Sequence, residues 1–168
     1  LTTPVPAGAD TILVRDGVAL LSARASAREV ACGDSLAVVC RWTPAGPAPS
    51  PQPLKATVRL DALEAPGRGS ALSKVIRKAA EALGAPSYRH RVDWIPTGNR
   101  LPADRWVPGR AVPDTVVIRP SCDLAPGRYA LTVTINRLPH MPNHRLKDYL
   151  SDDDLYSGPA VDTLLVRR

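Results

Sequence analysis

Residues 93–129 constrain this chain more than any other stretch, because turn signals there bracket runs too short for helices. The stretch reads Asp93-Trp94-Ile95-Pro96-Thr97-Gly98, then Pro102, Trp106-Val107-Pro108-Gly109 and Asp114. A strand pattern at 115–119 follows, and then Ala125-Pro126-Gly127-Arg128-Tyr129. Proline fixes φ and glycine supplies φ > 0, so such residues punctuate sheets. The stretch is a framework of turns between short strands. It offers no base, nucleophile or metal cluster at a chemical spacing.

The rest of the chain follows the same rule, with one exception. Residues 35–42 place Leu36, Val38, Cys40 and Trp42 on one face, the period of two that marks a half-buried strand. Residues 54–64 turn Leu54, Ala56, Val58, Leu60 and Ala62 inward and Thr57, Arg59 and Asp61 outward. Strands are also expected at 11–15 and 18–26, joined by the turn pair Asp16-Gly17, and at 87–95, 112–119, 128–136 and 160–167. Residues 1–10 read as an N-terminal arm or linker, and 43–53 as a Pro/Ala/Ser-rich loop. The exception is 70–83, where Leu72, Val75, Ile76, Ala79, Ala80 and Leu83 fall at helical spacing. Ser70 can cap that helix, Gly84 sits at its C′ position and Pro86 stops it. The expected fold is all-β: one domain over 11–168, an antiparallel immunoglobulin-like sandwich of seven to eight strands with one inserted amphipathic helix. A closed barrel is the alternative.

Composition sets outer bounds. The chain has 168 residues, enough for one domain with a real core, and 44% are hydrophobic. Phe is absent, so the core draws on Leu, Val, Ile and Ala with three Trp and four Tyr. The formal charge of +6 favours acidic partners, but no run of five like charges exists. Aromatics do not interleave with basic residues as stacking platforms do, which argues against nucleic acid. No apolar run approaches the ~20 residues of a membrane helix. No signal-peptide pattern is present to fix a compartment.

The order Gly33-Asp34, Trp42, Asp93-x-x-Pro96-x-Gly98, Trp106-x-Pro108-Gly109, Asp114 and Pro126-Gly127-x-Tyr129 resembles a known family. It is similar to the β-sandwich domain that follows the transmembrane part of bacterial membrane glycosyltransferases of the dolichyl-phosphate-mannose type. The match covers roughly residues 22–136 and the last strand. The resemblance implies a non-catalytic accessory domain outside the cytoplasm, because the catalytic acids of such enzymes lie in the membrane part. The helix at 70–83 and the long segment 138–157 depart from the pattern, and insertions are where a private function resides.

Each candidate site competes with a plainer reading. Trp42, Trp94 and Trp106 could stack sugar rings, but Trp42 and Trp94 stand on inward registers, and Trp106 suits a plug at the sandwich end. His140 and His144 are four apart, but Pro139 and Pro142 forbid the regular helix that would align them as metal ligands. Asp148, Asp152, Asp153 and Asp154 offer hard oxygens for calcium without the usual loop sequence. A solvated acidic loop explains them as well. Lys74, Arg77 and Lys78 on the polar side of the helix suit an anionic membrane or an acidic partner, and a helix simply packed over one sheet edge explains the same pattern. No cofactor motif and no hydrolase signature is present.

Three cysteines allow at most one intramolecular pair. Cys40 lies mid-strand among core residues, where a buried thiol is ordinary. Cys32 precedes the turn into one strand and Cys122 the turn into another. In an immunoglobulin-like order those strands run the same way and face each other, so both cysteines fall at one end. Cys32 and Cys40 are separated by an extended strand of about 20 Å. The expected bridge is Cys32–Cys122 with Cys40 free, which favours an oxidising compartment. Three reduced thiols in a cytoplasmic protein are the alternative.

The leading expectation is a non-catalytic interaction module in the periplasm or at the cell surface, docking onto a membrane-associated protein assembly. A carbohydrate-binding module with a glycan partner is the second reading, and an enzyme with an unrecognised site the third.

Overall fold

The structure, a computed structural model, describes residues 2–46, 54–65, 71–137 and 158–168, without the side chains of Ala71, Ser73, Lys74, Asn99 and Arg137. In chain order the strands are β1 (Thr3–Pro4), β2 (Leu13–Arg15), β3 (Val18–Ala25), β4 (Glu29–Ala31), β5 (Leu36–Pro44) and β6 (Leu54–Ala62). The helix α1 (Ala71–Ala82) follows. Then come β7 (Arg89–Trp94), β8 (Arg110–Ile118), β9 (Gly127–Arg137) and β10 (Ala160–Arg167). They form two five-stranded sheets, ordered β1-β8-β5-β3-β2 and β4-β10-β9-β6-β7. The all-β class expected from the sequence is the class observed.

The alternation in the sequence fixes which side chains meet. Leu36, Val38, Cys40 and Trp42 of β5 are buried, as are Ala56, Val58 and Leu60 of β6 and Leu131, Val133 and Ile135 of β9. They join Val112, Val116 and Ile118 of β8 and Leu164 and Val166 of β10 in one core between the sheets. Truncating a fully buried leucine such as Leu60 to alanine costs about 2–5 kcal/mol. The core therefore tolerates little change.

Ten strands stand among the described residues where seven to eight are expected from the sequence. The additions, β1 and β4, have two and three residues, too few to display a period. β4 runs parallel to β10, pairing Val30 with Val166. β1 lies within the stretch read as an arm. Thr3 and Pro4 pair with Ala111 and Arg110, and the Val5 N–H donates to Gly109 O at 2.9 Å. The arm is thus laid along the edge of β8.

Turn chemistry closes the framework. Asp16 (φ 52°) and Gly17 (φ 78°) take the left-handed conformations that a two-residue hairpin between β2 and β3 requires. The Tyr129 hydroxyl donates to Ala125 O at 2.6 Å and fixes the corner that leads into β9. Trp106 is buried and its Nε1–H donates to Leu101 O at 2.8 Å, closing the opposite end of the sandwich. At the entry to β10, a Cβ on Gly158 would run into the carbonyl oxygen of Val133, so only glycine fits there.

The outer face of the second sheet differs from its sequence reading. Thr57, Arg59, Thr132 and Thr134 point away from the core and are nevertheless buried. Asp61 bridges Arg59 and Arg89 there, and Asp93 bridges Lys55 and Arg91 while accepting from Thr57 Oγ1 at 2.7 Å. Period two assigns a face to each residue, but not what lies over that face.

Candidate functional site

The helix α1 is the feature the sandwich does not absorb. Its end is built locally. The Ala85 N–H donates to Ala80 O at 2.9 Å and the Gly84 N–H to Glu81 O at 3.0 Å, with Gly84 at φ 93°. That pair of bonds is the Schellman cap that the Gly84 position implies. The orientation of the helix is the unexpected part. Leu72 is 70% exposed, Val75 49%, Ile76 60% and Leu83 89%. The side chains of Arg77 and Glu81, on the opposite side, are only 18% and 15% exposed. The apolar stripe therefore faces solvent and the charged side faces the protein.

The predicted cations on this helix divide accordingly. Arg77 Nε lies 3.9 Å from Glu81 Oε1, and Lys78 Nζ lies 3.1 Å from Glu81 Oε2 with most of its side chain in solvent. Lys74 stands one turn earlier on the helix backbone. Of the charged side chains described on the helix, Lys78 is thus the one that borders the uncovered aliphatic stripe, while Arg77 and Glu81 lie on the covered side.

Cys32 and Cys122 are joined by a disulfide with a Cα–Cα distance of 4.8 Å. Cys32 lies in the turn between β4 and β5, and Cys122 in the turn between β8 and β9. The Cys32 N–H donates to Arg167 O and the Gly33 N–H to Pro120 O, so three chain segments meet beside the bridge. The same end carries the base of α1, because the Ser87 N–H donates to Asp123 O at 2.8 Å. Cys40 is free and buried, and burial, reinforced by Asp114, pushes its thiol pKa up to about 12. It is chemically inert in the fold.

Asp114 is a residue whose role the turn framework concealed. It faces the core from β8 and accepts from Trp94 Nε1 at 2.7 Å and from the Thr115 N–H at 3.0 Å. The first bond crosses from one sheet to the other. A hint is present in the sequence, since Asp114 occupies an inward register between Val112 and Val116. His90 pairs with Leu60, and burial lowers its pKa although Asp123 opposes the shift.

The tryptophans form no platform. Trp42 and Trp106 are buried, and Trp94 is half-buried against the core. His140, His144, Asp148, Asp152, Asp153 and Asp154 lie outside the described residues. Among the described residues no three metal-ligating side chains come together. No helix among them is long and apolar enough to cross a membrane.

No family model and no curated protein matches this chain. A solved structure of Pseudomonas fluorescens alkylpurine DNA glycosylase AlkC, bound to DNA containing an abasic site analog, is similar at a TM-score of 0.44 and 11% identity. The similarity covers 90% of this chain and 31% of that one. The present chain therefore spans less than a third of that protein, and a likeness at this level carries no argument about function.

Proposed function

We propose that this chain is a non-catalytic interaction module, an immunoglobulin-like sandwich that works outside the cytoplasm and docks onto a membrane-associated assembly through α1. In this reading it is a module of the kind that follows the membrane part of bacterial dolichyl-phosphate-mannose-type glycosyltransferases. The observation that carries the docking reading is the outward apolar stripe of α1. An isolated helix of about twelve residues is marginal in water, and most helical stability comes from packing an apolar face. The stripe of α1 has no such packing within the described fold, and the docking reading assigns that packing to a partner surface.

Three further observations support the reading. The chain crosses from the first sheet to the second between β3 and β4, and Tyr129 forms a corner at the start of β9, both in keeping with an immunoglobulin-like order. The Cys32–Cys122 bridge favours an oxidising compartment. The glycan-binding alternative asks for exposed rings, and the three tryptophans are buried or half-buried. The test is replacement of residues 69–84 by a Gly-Asn turn, followed by thermal unfolding and recovery with the membrane fraction. Retained folding with lost recovery supports docking through α1. Loss of folding, or unchanged recovery, overturns it.

A further inference from the structure

From the chemistry of its uncovered face we infer that α1 binds an anionic lipid surface, lying flat with its aliphatic stripe in the headgroup boundary. This inference rests on the docking reading and makes the lipid of that membrane, rather than a protein of the assembly, the surface that α1 touches. The stripe consists of Leu72, Val75, Ile76 and Leu83, all exposed. Protein interfaces draw their affinity from Trp, Tyr and Arg anchors, and Leu and Val are under-represented among such hot spots. A stripe of aliphatic side chains without an aromatic or guanidinium anchor suits a non-directional apolar medium better than a shaped protein pocket.

Size points the same way. The helix is twelve residues long, or about 18 Å. One face of it is well short of the roughly 800 Å² per partner that a stable protein interface buries. A second copy of the chain seated on the stripe would therefore gain too little area to hold. A bilayer needs no minimum patch, because the helix sinks its apolar side while the polar side stays with the protein.

Charge selects the lipid. Arg77 is turned away from the stripe with Glu81, so Lys78 is the described cation of the helix that borders the uncovered face, on a chain that carries +6 overall. Lys78 is mostly solvent-exposed on the border of the stripe, where its long stem can reach headgroup phosphates. Anionic headgroups attract such a cation, and the attraction is screened by salt.

The test is flotation of the full chain with phosphatidylcholine vesicles, with and without phosphatidylglycerol, beside sedimentation velocity without lipid. The inference predicts a monomer that floats with the phosphatidylglycerol vesicles and binds the neutral ones at least tenfold more weakly. The double substitution Ile76→Glu/Leu83→Glu should cut binding at least tenfold with the melting temperature unchanged, since both positions are exposed. Lys78→Glu should weaken binding to the charged vesicles several-fold and leave the residual neutral binding alone. Absent flotation, flotation indifferent to both variants, or a dimer that dissociates in the double variant would each overturn the lipid assignment. The docking reading is judged apart, by whether the replacement of residues 69–84 abolishes recovery with membranes.

Discussion

Replacing Cys32 and Cys122 by serine should lower stability by an amount the topology dictates. The bridge closes a loop with a sequence separation of 90. In the chain-entropy model a loop of that length restrains the unfolded state by about 4–5 kcal/mol. Neither partner is deeply buried, so the serines create little new strain. At roughly 2–4 °C per kcal/mol for a chain of this size, the melting temperature should fall by about 8–20 °C. Calorimetry of the wild type, the double variant and the wild type with a phosphine reductant measures it, and the last two should agree. Alkylation without reductant adds a second readout. The native protein should offer no reactive thiol, because burial pushes Cys40 up to about 12, and the denatured protein should offer one. A fall below about 3 °C, or three alkylatable cysteines in the purified protein, would refute the pairing and the compartment drawn from it.

Three other outcomes follow from single positions. Tyr129→Phe removes the 2.6 Å bond to Ala125 O and should cost about 1 kcal/mol in denaturant unfolding, with no change in the unfolding slope. His90 has a lowered pKa in the fold, so between that value and the ordinary 6.5 the unfolded chain binds more protons. Stability should therefore rise with pH through that window and be unaffected by His90 on either side of it. His90→Gln should flatten this dependence, and an unchanged pH profile would contradict the assignment. Gly158→Ala places a methyl group against Val133 O and should destabilise by about 1–3 kcal/mol, visible as a lowered melting temperature.

How far the fold could be read from the residues depends on the length of each element. β5 and β6 are long enough to show a period of two, and every side chain assigned inward there is buried. The helix was legible from its spacing and its Gly84 stop. β1 and β4 were not, because two or three residues have no period and their pairing is decided by partners far along the chain. The buried outer face of the second sheet escaped for the same reason. Thr57 and Thr134 are polar on the side away from the core, which reads as solvent until a tertiary contact covers it. The direction of α1 was the larger gap. Amphipathic spacing says that a helix has an apolar side, and says nothing of whether that side meets the sandwich or a separate surface. Asp114 shows the converse, since a carboxylate in an inward register announces a buried partner, here Trp94, without naming it.

In the docking reading α1 depends on a partner surface for its stability. Residue-resolved amide exchange on the intact protein tests it most directly, first in buffer and then with phosphatidylglycerol-containing vesicles. The account predicts that in buffer α1 exchanges through local opening, orders of magnitude faster than β5, β6, β8 and β9, and that vesicles slow it selectively. Protection of α1 in buffer equal to that of the core strands would contradict the claim, because the helix would then need no partner.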